Sequence, residues 1–146
     1  GPSSLPRARH PTAAGALART LGSTKTRRCA PPPAQVPMQI SNLPFGTTDW
    51  STVERTEHKG DQGVAYWRTK HFGPIRVRVV EYTPGYVADH WCVKGHILFC
   101  LEGELETELA DGRRFRLTPG TSYQVADNAE PHRSSTVAGA KLFIVD

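Results

Sequence analysis

Residues 89–103 read Asp89-His90-Trp91-Cys92-Val93-Lys94-Gly95-His96-Ile97-Leu98-Phe99-Cys100-Leu101-Glu102-Gly103. Two imidazoles and a thiol stand just ahead of an apolar run, Ile97 to Leu101, that is short enough for a buried strand and too short for a typical buried helix. Working outward, the chain repeats this pattern of short strands and turn signals. Upstream, Val64 to Lys70 is rich in β formers, Phe72-Gly73-Pro74 breaks it, and Ile75 to Tyr82 begins in strict alternation. Pro84-Gly85 turns. Downstream, Leu105 to Leu109 alternates, Asp111-Gly112 is a strong hairpin signal, and Arg113 to Leu117 returns. Pro119-Gly120, Ser122 to Ala126 and Lys141 to Val145 complete the series. About eight strands without a helical period predict an all-β sandwich or barrel. An immunoglobulin-like sandwich would carry a Cys-Trp-Cys core pattern, and that spacing is absent.

Composition divides the chain. The 146 residues suit one domain, and the net charge is +4. Six of the 18 basic residues (Arg7, Arg9, Arg19, Lys25, Arg27, Arg28) fall in residues 1–37, which hold no Asp or Glu, so residues 38–146 carry 12 basic against 14 acidic side chains. Residues 1–37 also contain Pro31-Pro32-Pro33 and no lasting apolar period, and we expect a basic Pro-rich arm outside the fold. Met38, the one Met, stands where composition changes and is expected to be a natural start, with 38–146 as the domain. The positive field belongs to the arm, so the domain is not expected to bind nucleic acid. No run approaches the roughly 18 apolar residues of a membrane span, so no membrane partner is expected. Three Cys in no scaffold pattern fit a reducing, cytoplasmic setting.

Imidazole and thiolate are the ligands of zinc, iron, copper and nickel. In an extended segment residues i and i+2 share a face, so His90 and Cys92 project together, and His96, Leu98 and Cys100 do likewise. Gly95 allows the bend between the two groups. His132, in the cluster Glu130-Pro131-His132-Arg133, can complete four ligands. Trp91 has the opposite parity and is expected to face outward or into a dimer interface. Cys100 is expected in the core, and Asp89 outward or behind a ligand histidine. Arg76 and Arg78, with Tyr66 and Tyr123, are expected near the cavity mouth, where an inward Arg could hold a substrate carboxylate with two prongs. Glu102, Glu104, Glu106 and Glu108 oppose Arg113, Arg114 and Arg116 across the hairpin and read as an exposed face.

The spacing resembles the cupin superfamily. Its first motif is commonly G-x5-H-x-H-x3,4-E-x6-G. Here Gly85 precedes His90 with four residues between them rather than five, His90-Trp91-Cys92 stands at H-x-H, His96 at the Glu, and Gly103 at the closing Gly. Its second motif is commonly G-x5-P-x-G-x2-H-x3-N. Here Gly120 matches, Ala126 stands at the Pro, Asn128 at the second Gly, His132 comes one residue late, and Thr136 stands near the Asn. The Asp89-to-His96 run is similar to small DHCW-motif cupins. The resemblance implies a jelly-roll barrel, a double-stranded β-helix, with a central divalent transition metal and often a homodimer. It implies no single reaction, since cupins include oxygenases, isomerases, lyases and non-enzymatic binders.

The expected function is a small metal-binding cupin acting on a small organic molecule, the metal held by His90, Cys92, His96 and His132 and serving as Lewis acid or activator of water or dioxygen. Thiolate in place of carboxylate favours zinc, with iron, nickel or copper as alternatives. Two other readings stay open: a non-catalytic small-molecule-binding or regulatory cupin, and a thiol-based redox sensor through Cys92 and Cys100.

Overall fold

The computed structural model describes Gly22, Ala30 and residues 39–146, the last of which form one compact unit, Gln39–Asp146. The basic arm expected over 1–37 and the start expected at Met38 lie outside the described residues. A short 3-10 turn, Trp50–Thr52, leads into β1 (Arg55–Lys59), β2 (Val64–Phe72), β3 (Ile75–Tyr82), β4 (His96–Gly103), β5 (Leu105–Leu109), β6 (Arg114–Leu117), β7 (Ser122–Val125), β8 (His132–Ser135) and β9 (Ala140–Val145). A six-stranded sheet runs β1-β2-β3-β9-β4-β7, and a three-stranded sheet runs β6-β5-β8. All the pairings are antiparallel. Among the described residues no helix is long and apolar enough to cross a membrane.

The alternation read from the chain decides which faces meet. Leu105, Thr107 and Leu109 of β5 are buried while Glu106 and Glu108 are half-buried. Ala140, Leu142 and Ile144 of β9 are buried in the same rhythm. Leu98, Leu105, Leu142, Val80 and Cys100 are the fully buried centre between the sheets, so Cys100 is a core residue as expected. Full burial of such aliphatic side chains contributes roughly 1.5–3 kcal/mol each. Trp50 anchors the approach to β1 by packing edge-on against Phe143, with ring centroids 6.2 Å apart.

Turn chemistry sets the registers. Phe72 pairs with Ile75 across Gly73-Pro74, and Gly73 has φ 59°, the positive value a II′ hairpin needs at its first loop position. The Asp111-Gly112 hairpin joins β5 to β6, and Arg114 meets Glu106 and Glu108 while Arg116 meets Glu104. The arginines of this ladder are exposed, as the sequence implied, while Glu104, Glu106 and Glu108 are half-buried beneath them. Two strands carry no apolar alternation: β1 is an edge strand with four of five residues exposed, and β8 begins at His132. Both are drafted by a partner strand, β2 and β5 respectively, rather than by their own pattern.

Gly103 ends β4 beyond a register shift between Cys100 and Glu102. Its φ is 72°, and a Cβ there would lie 2.1 Å from the Gly139 carbonyl oxygen. Gly112, at φ 91°, has nothing within 4 Å of the same added atom. Replacing each by Ala separates the two costs. Gly112→Ala loses about 1–2 kcal/mol for left-handed backbone alone, and Gly103→Ala loses measurably more, because backbone must also move. Urea denaturation checks this, and equal losses would contradict the close approach.

Candidate metal centre and its cavity

Two backbone hydrogen bonds bring Cys92 to His132. The Cys92 N–H donates to the His132 carbonyl at 2.8 Å, and the His132 N–H donates to the Cys92 carbonyl at 3.0 Å. His96 starts β4 and His132 starts β8, so three separate segments converge. Cys92, His96 and His132 each present one ligand atom, and these atoms lie within 4.8 Å of one another. They could hold a metal ion.

The proton positions follow from the partners. His132 is 2% exposed, and its Nδ1 is 2.9 Å from the Glu130 carbonyl. A carbonyl only accepts, so the ring must donate from Nδ1, and Nε2 points at the cluster. That Nε2 faces the His96 Nε2 at 3.1 Å, with the ring planes nearly perpendicular at 85°. The Tyr123 hydroxyl stands 2.9 Å from the same His96 Nε2. His96 Nδ1 is buried without a partner, a cost on the order of 1–3 kcal/mol that its surroundings must offset. The His96 ring is thus held for what meets Nε2.

Burial, then the charge on His132 and on Arg78, pushes the His96 pKa down to about 4, so this imidazole is neutral at pH 7. The hydrogen bond with His132 lowers the Cys92 thiol pKa despite burial, and the same bond raises that of His132. Burial pushes the Cys100 thiol up. Metals require neutral imidazole and thiolate, and the His96 and Cys92 shifts run in that direction.

His90 is not part of the close set. Its side chain is 69% exposed and its Nδ1 lies 2.6 Å from Asp89 Oδ1, leaving it on the cavity rim. Strand parity fails there because residues 89–90 form a bend rather than extended backbone. The same bend corrects Trp91, which lines the cavity instead of facing away and lies under the Arg133 guanidinium at 5.2 Å.

The cavity encloses about 320 Å³, at the lower end for small-molecule sites. Arg76, Arg78 and Tyr123 line it as expected. Tyr66 does not: its neighbour Trp67 faces the cavity, so Tyr66 takes the opposite face of β2, under the Arg55 guanidinium at 4.2 Å. Asp146 was missed by residue-type reading. Its carboxylate accepts from Arg76 Nε and Nη2 at 2.8 and 2.7 Å and from Arg78 Nη2 at 2.8 Å. The signal was present in the inward rhythm Leu142, Ile144, Asp146 continuing from β9.

Burial pushes the Asp146 carboxyl up, but the Arg76 hydrogen bonds and the Arg78 and Arg76 charges outweigh it and hold the pKa below the usual range. A carboxyl depressed in the folded state stabilises at pH above its unfolded value of about 3.9, and that contribution fades as pH falls through the folded value. Asp146→Asn therefore loses on the order of 3–5 kcal/mol at pH 7, and less at lower pH as the wild type loses the same contribution. Denaturation from pH 7 down to pH 2 checks this; a difference independent of pH would contradict it. For the thiols, Cys92 in metal-free protein alkylates with an inflection below the ordinary value of about 8.5, while Cys100, fully buried, stays unmodified in the folded chain. His132→Ala moves the Cys92 inflection back up. Iodoacetamide rates resolved by peptide mass spectrometry check both.

No protein-family model matches the chain, and no curated protein matches its sequence. Solved structures do match. A sugar phosphate isomerase of the cupin superfamily from Silicibacter pomeroyi aligns with TM-score 0.57 and 17% identity over 68% of this chain and 74% of that one. The Clostridium difficile EutQ protein aligns with TM-score 0.58 and 16% identity over 68% and 83%. Ectoine synthase from P. lautus aligns with TM-score 0.55 and 18% identity over 69% and 76%. With identities this low the likeness speaks to fold alone, and it agrees with the motif spacing: residues 39–146 have the jelly-roll fold of the cupin superfamily.

Proposed function

We propose that this domain is a metal-binding cupin acting on a small organic molecule, with one divalent transition metal held by Cys92, His96 and His132. The observation that carries this is the pair of Nε2 atoms facing each other 3.1 Å apart. Two nitrogens that share one ion at about 2.0–2.1 Å each stand roughly 3–3.4 Å apart. The second support is that His132 spends its Nδ1 proton on a carbonyl, the arrangement that orients metal-binding imidazoles.

One thiolate and two imidazoles form a soft donor set that suits zinc first, with iron, nickel or copper as alternatives. Three protein ligands leave a position open, the mark of a catalytic rather than a structural site. A metal there supplies Lewis acidity or lowers the pKa of a bound water. The protein's own residues do the rest. The Tyr123 hydroxyl, which meets His96 Nε2, would give that nitrogen up to an ion and be left free to donate beside it, and its phenol, pushed up by burial, stays protonated at neutral pH. Trp91 and Tyr86 line the cavity and limit the water that shares it with a ligand. An oxygenase, isomerase or lyase reaction would fit such a site.

Elemental analysis of the purified full chain tests the reading. About one transition-metal ion per chain is expected in the wild type. His96→Ala and Cys92→Ser should each weaken metal affinity at least tenfold, since even outer-shell changes cost 10–100-fold. Metal near zero in the wild type after growth and purification with added zinc or iron would sink it.

A further inference from the structure

β3 places Arg76 and Arg78 two residues apart on one strand face, and that face is the cavity wall. Both guanidiniums reach the one Asp146 carboxylate, whose side chain has no exposed surface. Arg76 takes both oxygens with its fork, so its best-aligned donors are used. Arg78 touches only one oxygen, through Nη2, and its Nε is buried without a partner. Its guanidinium lies over the Trp67 ring at 4.5 Å, which fixes the plane of the group.

Lys94 also lines the cavity, so three cations stand there against one carboxylate. An Arg–carboxylate–Arg triad leaves one positive charge uncancelled. Here the imbalance faces open space. The remaining donors are those of Arg76 and Arg78 not taken by Asp146, and the Lys94 ammonium. The planar guanidinium forks match a flat carboxylate. The walls that accompany them are aromatic and apolar, with Trp67, Tyr82, Trp91 and Leu98 among them.

We infer that the cavity's ligand is a small monocarboxylate with a compact apolar body, received by Arg78 and Lys94, with Asp146 as the positioning residue that holds the two guanidiniums side by side. This deepens the metal-binding reading above, since the ligand's other end would lie toward Cys92, His96 and His132.

The test is affinity by calorimetry for a size series of acids (acetate, propionate and benzoate), each against its own amide, on the full chain with and without metal. At least one acid is expected to bind about tenfold or more tightly than its amide. Arg78→Met should remove that preference while leaving metal content unchanged. Should Arg78→Met fail to fold, Lys94→Met at an exposed position takes its place and should weaken the acid several-fold. The inference is overturned if no acid is preferred, if both variants bind acid as the wild type does, if inorganic phosphate binds more tightly than every acid, or if the preference vanishes on removing metal. The two readings fail separately. Acid preference in a chain that binds no metal sinks the metal and keeps the carboxylate site, and metal without acid preference does the reverse.

Discussion

Cys92 and His132 are forty residues apart in the chain and are joined by a reciprocal pair of backbone hydrogen bonds. Much of the site hangs on that bridge. It ties the irregular segment before β4 to the first residue of β8, and so closes one end of the space between the two sheets. It also sets the thiol beside the imidazole, and that contact shifts the two pKa values in opposite directions. The side chains need no special sequence spacing to meet, because the backbone has already delivered them. His96 joins from β4, whose own position is fixed on both sides by β7 and β9.

A second constraint governs the charge. Burying two guanidiniums on β3 is unfavourable unless a carboxylate meets them, and Asp146, continuing β9, supplies it. The antiparallel register makes the meeting obligatory, since the Asp146 backbone exchanges both hydrogen bonds with Arg76. The cavity is therefore polar at two places of different kinds. One is a neutral-to-soft donor cluster of sulfur and nitrogen, and the other is a cationic wall only partly neutralised. Aromatic side chains line the cavity with them.

Most of the strands were legible because period-two alternation and turn residues act locally. β3 and β5 follow directly from their apolar rhythm, β2 from its richness in β formers, and Asp111-Gly112 names its own hairpin. Motif spacing assigned His90, Cys92, His96 and His132 together, and the fold brings the last three within 4.8 Å of one another. Asn128, standing where the family has a glycine, has φ 58°, a left-handed value that asparagine tolerates better than most residues. β1 was hidden because an edge strand needs only backbone pairing, and Asp146 because its role depends on what β3 presents opposite it.

His90 and Trp91 show the limit of parity. Alternation holds only while the backbone is extended, and a bend at residues 89–90 turned both side chains from the places that counting assigned. By itself the sequence determined the all-β class, the strand rhythm and the residue types able to bind a metal, since these rest on local sterics and side-chain chemistry. Only the tertiary structure decided which ligands converge, which arginines face the cavity and which carboxylate restrains them. Those depend on pairings between distant strands, and no local pattern encodes the register in which distant strands meet.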